Sequence, residues 1–346
     1  MKFLHSQTYT LLLLMAFLGC EQKLVDKPML LNKGSEKDVF KIKGISLVAP
    51  VRVIDSSAMA PVINVNANSI AIMPYAFCSV ANPAVRYNSQ GQWWGESDAG
   101  VLGTIAIAHS KNLTVMLKPH LWLSRGEYTG KLNFDQDTAW VRWEQTYSDY
   151  ILHFAQIAQD SKVDLFCFST ELGGPIKARP QFFQTLITAV KSIYKGKITY
   201  AGNWDDYANF PFWKQMDYVG VDAYFPISKS ATPTVEEIAE GWQPHLTKLE
   251  KLSKQLKLPI MFTEYGYRNA DFAAQAPWEE ANTQQNDIAQ SNALEGFYTS
   301  IKGKSWFAGG YLWKWYVDEP RRTNRTIDFT PQGKKAEAVV KQWYGK

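Results

Sequence analysis

From residue 43 onward, short apolar runs alternate with longer amphipathic ones. Eight runs have strand length: Gly44–Ala49, Ser69–Tyr75, Leu113–Lys118, Val163–Ser169, Ile198–Gly202, Tyr218–Val221, Pro259–Thr263 and Gly309–Trp313. They are rich in Val, Ile, Phe and Tyr and lack a clean period of two, as expected of strands covered on both faces. Between them lie helical patterns over Asp98–Lys111, Thr138–Asp160, Arg179–Tyr194, Thr234–Leu256, Asn282–Lys302 and Gln332–Trp343. In Thr138–Asp160, Trp140, Trp143, Tyr147, Ile151, Phe154 and Ala158 recur at spacings of three and four and hold one face. Thr234-x-x-Glu237 reads as a capping box. Strands followed by helices or long loops, eight times over, predict a single α/β (β/α)8 barrel spanning 43–346. No repeat, low-complexity tract or linker divides it.

The first residues follow a different pattern. Lys2 and His5 precede an apolar run from Leu11 to Leu18, too short to span a bilayer as a mature helix. The run closes on Phe17-Leu18-Gly19-Cys20. It resembles a bacterial lipoprotein signal, in which cleavage before the Cys is followed by its lipidation, although Phe17 stands where Leu is usual. The resemblance implies a signal peptide over 1–19, a lipid on Cys20, a polar, Lys-rich tether over 20–42, and a place in the bacterial cell envelope, periplasmic or at the cell surface. An ordinary signal peptide is the alternative.

Composition narrows the partners. A chain of 346 residues with 46% hydrophobic and 20% charged residues can bury one large core. The net charge of +4 comes from scattered Lys and Arg, so no nucleic-acid footprint is visible. Lys248, Lys251, Lys254 and Lys257 recur along one helix and read as a solvated face. No Cys/His cluster has metal spacing, so neither metal nor cofactor is expected. Cys78 and Cys167 fall near the ends of strands that are not neighbours, which predicts two buried free thiols. His109, His153 and His245 read as helix residues with satisfied partners. A monomer is expected.

The chemistry gathers at one set of strand ends. The third run leads into Lys118-Pro-His120-Leu-Trp122, the fourth into Thr170-Glu171, the fifth into Asn203-Trp204, the sixth into Asp222-Ala-Tyr224, the seventh into Glu264-Tyr-Gly and the eighth into Trp313-Lys-Trp315. The opposite ends, such as Lys43 and Lys162, show no such enrichment. In a parallel barrel the carboxyl ends of the strands form the mouth where chemistry occurs. Two carboxylates on different strands are the minimum for cleaving a glycosidic bond. The 14% aromatic content, with 13 Trp and 17 Tyr, fits a cleft that stacks rings on the C–H faces of sugars, and fits rim and core packing as well.

The set resembles the large clan of retaining (β/α)8 glycoside hydrolases, where the acid/base ends strand four and the nucleophile ends strand seven. Within the clan it is most similar to glycoside hydrolase family 113, the β-mannanase family, over roughly residues 43–345. The resemblance is carried by the Lys-Pro-His-x-Trp run, Thr-Glu-Leu, Asn203-Trp204, Asp222-Ala-Tyr224-Phe-Pro, Thr263-Glu264-Tyr-Gly, Trp313-Lys-Trp315 and the closing Asp328-Phe-Thr-Pro-Gln-Gly. Much of the clan has Asn before the acid/base; this chain has Thr170. The resemblance implies a retaining endo-β-1,4-mannanase on β-mannan or a related β-glycan, with Glu171 as acid/base and Glu264 as nucleophile. It implies carboxyl groups about 5–5.5 Å apart. Lys118, His120, Trp122, Asn203, Trp204, Asp222, Tyr224, Trp313 and Trp315 are the candidate substrate-binding residues. Tyr224 is expected to donate to Glu264, Trp313 to form a stacking floor, and apolar Phe168 and Leu172 to raise the Glu171 pKa. Trp204 reads equally as core, and Asp222 equally as a structural carboxylate. A β-glucanase or other β-glycosidase, and a non-catalytic glycan-binding lipoprotein, are the alternatives.

Overall fold

A computed structural model describes residues 40–279, 284–318 and 326–346. The expected signal peptide, Cys20 and most of the tether lie outside the described residues. The last expected tether residues, 40–42, belong to the barrel: Phe40 is packed in the core and the first strand begins at Ile42.

The strands are β1 (Ile42–Leu47), β2 (Ser69–Ile72), β3 (Tyr75–Cys78), β4 (Thr114–Leu117), β5 (His120–Leu123), β6 (Leu165–Thr170), β7 (Lys197–Asn203), β8 (Val219–Asp222), β9 (Ile260–Tyr265) and β10 (Phe307–Trp315). Eight of them close into a parallel barrel in the order β1-β10-β9-β8-β7-β6-β4-β2, and β3 and β5 pair separately. The helices are α1 (Ala60–Asn64), α2 (Asp98–Ser110), α3 (Asp137–Asp160), α4 (Gly173–Ala178), α5 (Pro180–Ile193), α6 (Val235–Leu256), α7 (Asp287–Ile301) and α8 (Lys335–Tyr344). All eight strands of the expected barrel are present. The β3–β5 ribbon, α1 and α4 are additions that the hydrophobic pattern did not show.

The two strand faces serve two cores. Inward, Ile42, Ala71, Met116, Leu165, Cys167, Ala201, Met261 and Tyr311 fill the barrel, large beside small. Outward, Val115, Phe166, Val221 and Phe262 meet the helices. Trp242 of α6 lies nearly parallel to Phe262, ring centres 5.8 Å apart. The expected face of α3 is the buried one, with Trp143, Ile151, Phe154 and Ala158 sealed from solvent. The chain's end closes on its start: Tyr344 of α8 donates to the Gly44 carbonyl at 2.8 Å.

Two prolines build the mouth. Pro74 and Pro119 follow β2 and β4 and have no N–H to give to a ladder, so regular pairing stops there. The chain resumes as β3 and β5, a parallel ribbon beyond the barrel. His120 N–H donates to the Pro74 carbonyl at 3.0 Å, and the buried Tyr150 hydroxyl of α3 binds both the Pro74 and His120 carbonyls. The ribbon thus carries His120 and Trp122 above Lys118.

Cys78 and Cys167 are free and buried, as expected. His109 lies 3.4 Å from Asp164, His153 2.8 Å from Asp98, and His245 3.3 Å from the Pro226 carbonyl. Among the described residues, no helix is long and apolar enough to cross a membrane.

The capping box is formed in full: Glu237 N–H donates to Thr234 Oγ1 at 3.2 Å and Thr234 N–H to Glu237 Oε2 at 2.8 Å. Thr234→Ala is expected to cost about 1 kcal/mol of stability. The urea unfolding midpoint reads it, and an unshifted midpoint would show that the cap contributes nothing.

Candidate active site

Register irregularities aim both glutamates. On β9, Met261 faces inward and Phe262 outward. The pairing with β8 then jumps from Val221↔Phe262 to Asp222↔Glu264, leaving Thr263 extra. An inserted residue reverses the alternation. Thr263 and Glu264 consequently both reach groups inside the barrel. On β6 the pairing with β7 jumps from Cys167↔Thr199 to Thr170↔Ala201. The next residue is Glu171, with φ of 51°, a left-handed conformation that costs a non-glycine residue about 1 kcal/mol or more. Its N–H is fixed on the Ala201 carbonyl at 2.8 Å, and its carbonyl accepts from Thr129 Oγ1 at 3.3 Å.

Beneath the mouth lies one cation between two carboxylates. Lys118 is fully buried; its Nζ lies 2.6 Å from Glu264 Oε1 and 3.0 and 3.2 Å from the two Asp222 oxygens. Tyr224 donates to the other Glu264 oxygen at 2.8 Å, and Thr263 to Asp222 at 2.7 Å. Burial works against the Lys118 charge, but Asp222 and Glu264 outweigh it and hold the ammonium protonated well above the usual lysine range. Burial, then Glu264, pushes the Asp222 carboxyl up, against the pull of Lys118.

Glu171 is shifted in the same direction as Asp222. Burial first, then the charges of Asp222 and Glu264, raise its carboxyl well above the ordinary value of 4.5, and Lys118 opposes them only in part. His120 is held neutral by burial and by Lys118. Its Nε2 is 3.5 Å from Glu264 Oε1, beyond a well-formed hydrogen bond, and has no other partner among the described residues. Its ring lies parallel to Trp313, 6.5 Å between centres, and edge-on to Tyr75 at 5.2 Å. Thr170 Oγ1 is likewise buried without an oxygen or nitrogen partner.

A cleft of about 1360 Å³ opens beside this cluster, over the ends of β1, β2 and β10. Trp313, Tyr75, Trp122, Trp93, Tyr316 and Phe329 are its aromatic walls. Asp328 lies in its floor, 3.2 Å from Lys314 and 2.6 Å from the Tyr316 hydroxyl.

Most sequence-predicted residues converge on the mouth. Trp122 is 49% exposed on the cleft wall, Asn203 ends β7 with its amide on Asp205 at 2.8 Å, and Trp204 is partly buried at the rim. Tyr224 makes the expected contact with Glu264. Three placements differ from the expectation of direct sugar contact. Lys118 and Asp222 are sealed below the mouth and spend their polar atoms on each other, Glu264 and Thr263. Trp315 is fully buried: the pairing with β1 jumps from Ser46↔Trp313 to Leu47↔Trp315, leaving Lys314 extra, and the inserted residue turns Trp315 into the helix layer while Trp313 faces the cleft. Sequence reasoning missed Tyr75, Trp93 and Phe329 on the cleft and Tyr128 and Trp278 at the rim. Tryptophans in the Gln90–Gly95 loop were a visible signal, since a loop without its own core has little reason to hold them. Among the described residues, no group of His, Cys, Asp and Glu could hold a metal.

The family model of Glycoside Hydrolase Family 113 matches residues 54–334. The chain belongs to glycoside hydrolase family 113. No curated protein matches it. Among solved structures, it resembles the family 113 β-mannanase AaManA from Alicyclobacillus acidocaldarius in complex with ManMIm. There the TM-score is 0.76 at 21% identity, over 88% of this chain and 97% of that one. A second family 113 β-1,4-mannanase gives 0.75 at 23%, over 89% and 99%. A β-glucuronidase from Ruminococcus gnavus gives 0.61 at 12%, over 88% of this chain but 50% of that one. At such identities the likeness carries the barrel, and membership of family 113 carries glycoside hydrolysis.

A carboxyl that binds its proton more tightly in the folded chain than in the unfolded one adds stability at low pH and loses it as pH rises through the folded value. Glu171 is such a group. Glu171→Gln should therefore leave Tm almost unchanged near pH 4 and raise it by roughly 2–4 °C at about pH 8. Thermal melts at both values check this; an equal shift at both would remove the raised pKa.

Proposed function

We propose that the chain is a retaining endo-β-1,4-mannanase acting by double displacement, with Glu171 as acid/base and Glu264 as nucleophile. The observation that carries the assignment is the unequal environment of two glutamates at the ends of the fourth and seventh barrel strands. Both oxygens of Glu264 accept hydrogen bonds, from Lys118 and Tyr224, and acceptance on both oxygens suits a carboxylate rather than a carboxylic acid. Glu171 faces the negative excess of Asp222 and Glu264 and retains its proton, as a general acid must.

The reaction follows from these positions. Glu264 attacks the anomeric carbon while Glu171 protonates the departing glycosidic oxygen, giving a glycosyl ester on Glu264. Glu171, now ionised, takes a proton from water, which attacks the same carbon from the opposite side and releases Glu264. The configuration is inverted twice and so retained. His120 Nε2, which lacks a well-formed hydrogen bond, is the group offered to a sugar hydroxyl, and Trp313 offers a ring to the sugar face. The mannan preference rests on family 113 membership and on the β-mannanase neighbours. The Lys2–Cys20 signal pattern supports an anchor at the bacterial cell envelope: Cys20→Ala should abolish detergent partitioning, and unchanged partitioning would refute the lipid.

Purified β-glycans test the sugar: hydrolysis of mannan is expected, and cleavage of β-glucan with mannan untouched would overturn the assignment. Two variants test the roles. Glu264→Ala should lose turnover on every substrate. Glu171→Ala should retain part of its activity on substrates with good leaving groups, which need no proton, and azide should trap a β-glycosyl azide. Azide rescue of Glu264→Ala with an α-azide product, and none of Glu171→Ala, would reverse the roles.

A further inference from the structure

Across the mouth from the cleft stands a pair of indoles that the proposed reaction leaves unused. The cleft occupies the β1, β2 and β10 side, lined by Leu47 to Ala49, Met73 and Trp313. In the closed order, β7 is four strands from β1 in either direction, so it is diametrically opposite. Trp204 directly follows β7. Trp278, from the segment between β9 and α7, stacks on it with ring centres 4.8 Å apart and planes 17° apart. Trp204 also meets Phe225 edge-on at 6.2 Å, and Phe225 belongs to the main core. Trp204 is therefore held in place. Trp278 is 45% exposed, which leaves indole surface open to solvent.

We propose that the Trp204–Trp278 pair is an aglycone-side subsite, taking the apolar C–H face of a β-1,4-linked pyranose beyond the cleaved bond. This rests on the glycosidase assignment above. A linear glycan lying in the cleft and crossing the mouth passes between β9, which carries Glu264, and β6, which carries Glu171. It then leaves over the β7 rim, where the pair stands. Tyr128, 39% exposed and next to Thr129, whose hydroxyl binds the Glu171 carbonyl, flanks the same exit. The stack fixes the orientation of a large flat apolar surface before substrate arrives, so little ordering remains to be done on binding. Each subsite on this side favours long chains over short ones and internal bonds over terminal ones.

The test compares a long substrate with one that has no sugar on the aglycone side. For mannan these are mannohexaose and an aryl β-mannobioside; if the panel identifies another β-glycan, the matching pair from that series serves. The sugar assignment can thus fail while the subsite is still measured. In Trp278→Ala, the ratio of kcat/KM for the long substrate to that for the aryl glycoside should fall about tenfold, the scale expected from uncovering one sugar face. Trp278→Phe, which keeps a flat ring, should restore most of the ratio. An unchanged ratio, or an equal fall on both substrates, overturns the proposal. If no β-glycan is cleaved, migration in gels cast with mannan or β-glucan is read instead. Retardation of the parent chain that is relieved in Trp278→Ala supports the subsite, and equal migration of the two chains, with or without polysaccharide, overturns it.

Discussion

The ammonium of Lys118 sits without solvent between Asp222 and Glu264, and the character of the mouth depends on that contact. Burying an ion costs several kcal/mol even after the surroundings relax, so a lysine is stable here only because two carboxylates meet it. One cation against two anions leaves a net negative charge. Burial first, and then that excess facing Glu171, raises the Glu171 carboxyl well above its ordinary value. A single buried cluster thereby engages both oxygens of Glu264, one directly through Lys118 and one beside it through Tyr224, and acts on Glu171 across the mouth. It also seals Lys118 and Asp222 beneath the mouth, their polar atoms committed to each other, Glu264 and Thr263.

The cluster can form only because the barrel departs from regularity at its carboxyl end. A regular β9 would point either Thr263 or Glu264 away from the interior, since successive side chains alternate. The extra residue lets both turn inward, Thr263 to Asp222 and Glu264 to Lys118. The same device on β6 precedes Glu171, whose left-handed backbone is held by hydrogen bonds on both sides. Pro74 and Pro119 end two ladders and release the ribbon that carries His120. Regular strands fill the lower barrel with Met, Leu and Ala. Irregular ends expose the chemistry.

Aromatic rings divide along the same boundary. Trp143, Trp242 and Trp315 are sealed among helices and strands, whereas Trp122, Trp278 and the cleft-facing Trp313 line the mouth. The tryptophans of the mouth stand in the segment before α7, in the β3–β5 ribbon or near the end of a barrel strand, outside the main cores. A substrate with polar edges and apolar faces suits such a lining.

By itself the chain determined the barrel, because buried parallel strands are written as continuous apolar runs and their helices as repeating faces. It also determined that Glu171 and Glu264 lie at one end, since both close such runs, and that Tyr224 would meet Glu264. What it did not determine is which neighbouring polar residues reach the mouth and which lie beneath it. Lys118 and Trp315 read as rim residues because each closes a strand. Only the tertiary structure sent Lys118 down to Asp222 and turned Trp315 outward. The physical reason is that direction at a strand end is set by bulges, prolines and partners on other strands. Trp278 pairs with Trp204, 74 positions away in the chain, and no local pattern encodes a contact of that kind.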